Sequence, residues 1–189
     1  MEAWLSLARL IDALNERVGR AVRWLVLATA LLSAATAFAR YAFHASSNAA
    51  LELQWYLYAL IFLLAAGYTL KHDGHVRIDV LFARLSPRAQ AWIDLAGGLL
   101  MLLPMALIIL GLSWHSFALS FQIREMSPDA GGLPRWPIKL AIPVGFALLA
   151  LQGVAEIIKR LAYLRGNISD PRAACPEADG AKRPPEEAV

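Results

Sequence analysis

The feature that most constrains this chain is where its charges are missing. Within 189 residues, four long stretches contain no Asp, Glu, Lys or Arg: 24–39, 53–70, 95–123 and 140–155. A helix needs roughly 20 predominantly apolar residues to cross a hydrocarbon core of about 30 Å. The second and third stretches reach that range. The other two are flanked by Arg23 and Arg40, and by Lys139 and Glu156, whose long side chains can reach the interface from slightly inside it. The pattern predicts four membrane-spanning helices, at about 22–41, 49–70, 88–121 and 136–160. Composition agrees: 58% of residues are hydrophobic and 17% charged, where a soluble domain carries about a quarter charged. A soluble globular enzyme and a secreted disulfide scaffold are excluded.

The net charge of +3 gains meaning from its distribution. Four spans put both termini on one side. That side, with the loop between spans two and three, holds 14 of the 18 basic residues; Arg40, Arg124, Arg135 and Lys139 lie opposite. Basic residues favour the cytoplasmic face, so both termini and the middle loop are expected in the cytoplasm. Anionic lipid headgroups are the expected counter-charge. No dense basic run interleaved with aromatics marks a nucleic-acid surface. Cys175 is the single cysteine; it lies in the expected cytoplasmic tail, where thiols stay reduced.

The expected architecture is an all-α integral membrane protein: four transmembrane helices, an N-terminal amphipathic helix and a short interfacial helix before the third span. Residues 1–20 form the amphipathic part, with Trp4, Leu7, Leu10, Ile11, Leu14 and Val18 on one face. Such a helix can lie in the membrane surface or dock on a partner. Glu2 and Asp12 interrupt what would otherwise be a signal-peptide core. Residues 21–165 form the transmembrane domain. Ser86-Pro87 is a helix-start signal ahead of span three, which is too long for one upright crossing. Residues 166–189 mix prolines and charges without an apolar face and are expected to be disordered. Trp24 and Trp92 at one interface, and Trp55, Trp114 and Trp136 at the other, support these boundaries.

Few residues in this chain are placed to do chemistry. No ionisable group sits mid-span. Glu52, one turn inside span two, fits an ion pair with Lys139 or a partner subunit, or a carboxylate snorkelled to the interface. Asp94 is expected to seek Arg88 or Arg23, and Glu156 with Lys159 and Arg160 to form an ordinary helix end. His44, His72 and His75 fall in loops and His115 at a margin, so no axial pair for haem is apparent. No catalytic residue, metal cluster or cofactor site emerges. Small residues in spans one to three suit close helix approach, and Pro104 and Pro143 are expected to kink spans three and four.

Several of these residues together resemble a family. Glu52 with Tyr56 at the head of span two, then Gly74-His75-Val76-Arg77-Ile78-Asp79-Val80 after it, is similar to the small membrane subunit of tripartite ATP-independent periplasmic (TRAP) transporters, the DctQ-like small permeases. Leu133-Pro134-Arg135-Trp136, Lys139 and Ile142-Pro143-Val144-Gly145 extend the likeness, which covers about residues 22–162. The stretch from Ser46 to Asp79 resembles the subgroup associated with mannitol or chloroaromatic substrates.

The resemblance implies a non-enzymatic scaffold in a bacterial inner membrane. A large membrane subunit would carry sodium and solute, a periplasmic binding protein would deliver an organic acid or similar solute, and this chain would brace the large subunit. It would need no cofactor of its own, and would contact that subunit or phospholipids through Glu52, Tyr56, His75, Arg77, Asp79, Asp94 and Lys139. His75, Arg77 and Asp79 would fix the middle loop to the partner or to headgroups, or be a solvated interfacial turn. Two other classes stay open at this point: a stand-alone homo-oligomeric transporter, and a membrane anchor of a redox complex, which would bind haem.

Overall fold

The computed structural model describes residues 2–72 and 85–166. Four helices account for nearly all of them: α1 (Glu2–Phe43), α2 (Asn48–Lys71), α3 (Pro87–Gln122) and α4 (Trp136–Leu164). All four are long and apolar enough to cross a membrane. The only bridge among the described residues pairs Met126 with Pro134 in the loop between α3 and α4. The fold is an all-α membrane protein. The expected interfacial helix before span three, the segment His75–Asp79 and the tail with Cys175 lie outside the described residues.

The amphipathic segment and the first span, expected as separate pieces, form one uninterrupted helix of 42 residues. Nothing between them stops a helix: the junction Gly19-Arg20-Ala21-Val22-Arg23-Trp24 lacks proline, and a single glycine costs only about 1 kcal/mol. Gly19 also has a packing role. A Cβ there would stand 2.2 Å from the ring of Tyr68, so α2 crosses α1 at this point.

The face that α1 buries is not its most apolar one. Ala8, Ile11, Asn15, Gly19, Val22 and Thr29 are buried, a row of mainly small or polar side chains at three- and four-residue spacing. Trp4, Leu7, Leu10 and Leu14 are exposed. Between helices in lipid there is little hydrophobic drive to associate, so close contact through small residues decides which face turns inward.

α4 is the hub. It packs against α1, α2 and α3, whereas α3 packs on α4 and makes little or no contact with the other two helices. Of α4's most apolar window 44% is buried, against 6–11% for the other three helices. Close approach explains how α2 reaches it: a Cβ on Gly145 would lie 2.8 Å from the carbonyl oxygen of Leu63. Pro143 sits beside this contact, inside the helix and buried.

α3 opens as its sequence indicates, with Pro87 in the first turn and Ser86 Oγ accepting from the amide of Ala89 at 3.4 Å. At Gly98–Leu102 the helix widens into a π turn, closed by the Leu103 amide on the Gly98 carbonyl. Pro104 follows directly. Its ring has no N–H and would crowd the carbonyl four residues earlier, and a wider turn just upstream relieves that crowding. At about 1.5 Å per residue α3 is some 54 Å long, longer than the bilayer is thick.

Candidate functional site: a clasped loop and a polar seam

Side-chain polar contacts gather at the two ends of the bundle. At the end opposite the termini, residues 123–135 join α3 to α4. The loop is closed at its base by the Arg135 amide on the Glu125 carbonyl at 2.8 Å, and narrows where the Ser127 amide meets the Leu133 carbonyl at 3.1 Å. Arg124 and Gly131 adopt positive φ, 48° and 73°. Phe121 and Trp136 stack edge to face across its base, 5.4 Å between centroids.

Glu52 holds this loop down. Only 3% of it is exposed. Its carboxylate accepts from the hydroxyl of Ser127 and, at 2.5 Å, from the amide of Leu133. Gly132 makes the approach possible, since a Cβ there would meet Ser127 and stand 2.9 Å from Glu52 Oε1. One turn on, Tyr56 donates to the carbonyl of Pro134 at 3.2 Å, and Asn48 donates to Ala130 at 3.1 Å. Three side chains of α2's first turns thus bind the backbone of one loop.

This corrects the expectation for Glu52, which neither pairs with Lys139 nor snorkels outward. Lys139 bonds instead to Glu125, which also accepts from Ser120 at 2.7 Å. The carboxyl of Glu125 is held below its usual range first by the bond from Lys139 and then by that from Ser120. Lys139 takes the carboxylate of Glu125 in the adjoining loop, and one amide with one hydroxyl satisfies Glu52 as a cation would.

At the end carrying the termini the contacts run from helix to helix. Asn15 Nδ2 donates to Gln152 Oε1 at 2.9 Å, and both residues are fully buried. Gln152 Nε2 donates to Asp12 at 2.7 Å and to Glu156 at 3.1 Å. Lys159 bonds both Asp12 and Glu156. On the α2 side, Lys71 and His72 meet Glu16 at 2.7 and 3.1 Å. Asp94, expected to seek Arg88 or Arg23, lies 3.2 Å from buried Arg160 of α4. Glu156, Lys159 and Arg160 are therefore an interhelical seam and not an ordinary helix end.

Charged side chains mark the ends of these contacts but not their centre. Asn15 and Gln152 are uncharged, and 137 residues separate them. A usable signal was the i, i+3, i+4 row Ala8–Ile11–Asn15–Gly19–Val22, in which one amide among small residues marks a helix–helix contact. A smaller tie, from Ser33 to Gln54 and from Gln54 to Thr36, each 3.0 Å, joins α1 to α2 within the spans.

The arrangement stitches helices and a loop. No group of three or more metal-ligating side chains occurs among the described residues. What fold and contacts define is a multi-pass all-α membrane protein built around a single hub helix. Residues 29–162 match the family model for the DctQ component of tripartite ATP-independent periplasmic transporters. The chain belongs to that family, and so is the small membrane subunit of a TRAP transporter. No curated protein and no solved structure matches it. The matched region holds the whole loop clasp, while Asp12, Asn15 and Glu16 precede it.

Proposed function

We propose that this chain is a non-catalytic brace for the large membrane subunit of its transporter. That subunit carries sodium and solute, and a periplasmic binding protein delivers an organic acid or similar solute. The supporting observation is the placement of α3, which packs on α4 alone among the described helices and leaves its remaining apolar surface uncovered. A hub with one outlying helix widens the stationary side of a complex against which another domain can move. Carriers place polar groups at the membrane midplane, whereas here most buried polar side chains tie helix to helix or helix to loop, and Thr29, within span one, bonds back to the Leu25 carbonyl of its own helix. The 14-to-4 split of basic residues favours an inner-membrane orientation with both termini in the cytoplasm, and the clasped loop on the periplasmic side. His75, Arg77 and Asp79 are the candidates for contact with the large subunit or with headgroups.

The test is co-expression with the large subunit and reconstitution of each alone. Sodium-driven uptake should need both membrane subunits, and this chain should co-purify with the large one. Uptake by this chain alone overturns the reading. Arg77→Ala should reduce complex yield or uptake if the middle loop docks there; unchanged yield and uptake remove that role.

A further inference from the structure

Four acidic side chains at the termini end of the bundle, Asp12, Glu16, Asp94 and Glu156, turn inward, while Glu2 in the first turn of α1 is exposed. Asp12 and Glu156 meet Lys159, Glu16 meets Lys71 and His72, and Asp94 meets Arg160. The arginines of α1 do not follow. Arg9, Arg17, Arg20 and Arg23 are all exposed; Arg9 donates to Ser6 at 3.1 Å, and none has a carboxylate partner among the described residues. At 100° per residue Arg9 and Arg20 lie on the side of α1 away from its buried row. Arg17 stands one turn from Leu14 and two from Leu10, at the border of the exposed stripe Leu7, Leu10 and Leu14. Residues 2–23 thus present an apolar stripe with Arg17 at its border, and Arg20, Arg9 and Arg23 carry unpaired positive charge successively further round the helix.

Length bears on where this surface goes. At about 1.5 Å per residue, the 42 residues of α1 extend some 63 Å, against about 40–45 Å for a bilayer with its headgroups. An unbroken helix of that length must lean or project, and leaning brings the side of its first half down onto the leaflet.

We infer that residues 2–23 of α1 are a docking surface for anionic phospholipid. Leu7, Leu10 and Leu14 enter the acyl boundary while the four arginines hold headgroup phosphates, an arrangement that suits amphipathic helices at interfaces and arginines with long apolar stems. The inference uses the orientation proposed above but not the bracing role. It is tested on this chain alone, so failure of transport assays leaves it standing, and its own failure leaves the bracing role standing.

The experiment places the full chain in bilayers of phosphatidylcholine and phosphatidylglycerol in which one lipid or the other carries brominated acyl chains. The emission lost on Trp4→Phe reports Trp4 alone. Brominated phosphatidylglycerol should quench that emission several-fold more effectively than brominated phosphatidylcholine. The preference, up to about fivefold for each basic residue near the surface, should collapse in R9Q/R17Q/R20Q/R23Q and shrink in high salt. Should the fourfold variant not fold, R17Q/R20Q and the salt series on the unaltered chain decide. Equal quenching by both lipids, a preference that survives the substitutions and salt, or a Trp4 that neither lipid quenches, as for a protein-covered stripe, overturns the inference.

Discussion

The two ends of the bundle solve different problems with similar side chains. At the loop end, Glu52 binds an amide and a hydroxyl of one short loop, and Tyr56 and Asn48 add carbonyl contacts to the same segment. At the termini end, Asp12, Asn15, Glu16, Lys71, Gln152 and Lys159 run between three separate helices. A carboxylate that meets backbone fixes a surface in place; one that meets a lysine on another helix fixes how helices sit against each other. The difference should appear in what each end loses when cut: local order at one, the bundle itself at the other.

The largest effect is expected at the termini end. Gly67→Leu drives a side chain into Asn15, whose Oδ1 would stand 2.4 Å from the new Cβ, with the Leu148 carbonyl at 3.2 Å. Such overpacking should cost about 3 kcal/mol and appear as a large drop in melting temperature in detergent. Gln152→Ala comes next. It leaves the buried Nδ2 of Asn15 with only its 3.4 Å bond to the Ile11 carbonyl, at a cost of about 1–2 kcal/mol, and the double change Asn15→Leu/Gln152→Leu should recover most of it. If the double change is as harmful as the sum of the singles, the seam is not a pair.

Glu52→Ala should act locally. Hydrogen exchange at the Leu133 amide should rise about tenfold while the amides of α4 keep their protection; global loss of protection would erase the contrast between the ends. The mildest effect is that of pH. Because Glu125 is held below its usual carboxyl range by Lys139 and Ser120, the stability it adds is present above that range and lost as pH falls through its lowered folded value. Glu125→Gln should flatten this acid limb of the melting curve and lower the neutral plateau.

Much of the fold was legible because a membrane turns missing charge into a length measurement. The charge-free runs located all four helices, and Ser86-Pro87 marked the start of α3. The continuity of α1 was not legible, because an amphipathic stretch followed by a hydrophobic one reads as two environments even when nothing breaks the helix between them. Partner choice was legible only where chemistry is local. Glu52 and Tyr56 stood out at the head of α2, but their partners, the backbone at Leu133 and Pro134, carry no side-chain signature. Asp94 and Arg160 were each visible, yet which arginine wins depends on helices placed by the hub. Reading polarity by charge alone passed over Asn15 and Gln152 entirely.

The π turn of α3 also sets a rotational phase. Ala91 and Asp94 face α4 before it, and buried Ala106 faces α4 after it. On an unbroken α-helix, Asp94 and Ala106 would point about 120° apart. The residue that the wider turn absorbs removes about 100° of that rotation, and both come to one side. A straight partner can therefore be followed along both halves of a helix whose sequence would otherwise spiral away from it. A deletion of one residue within Gly98–Leu102 would close the wide turn to an ordinary α turn and keep Asp94 toward Arg160, whereas an insertion there would leave composition and hydropathy almost unchanged and turn Asp94 about 100° away.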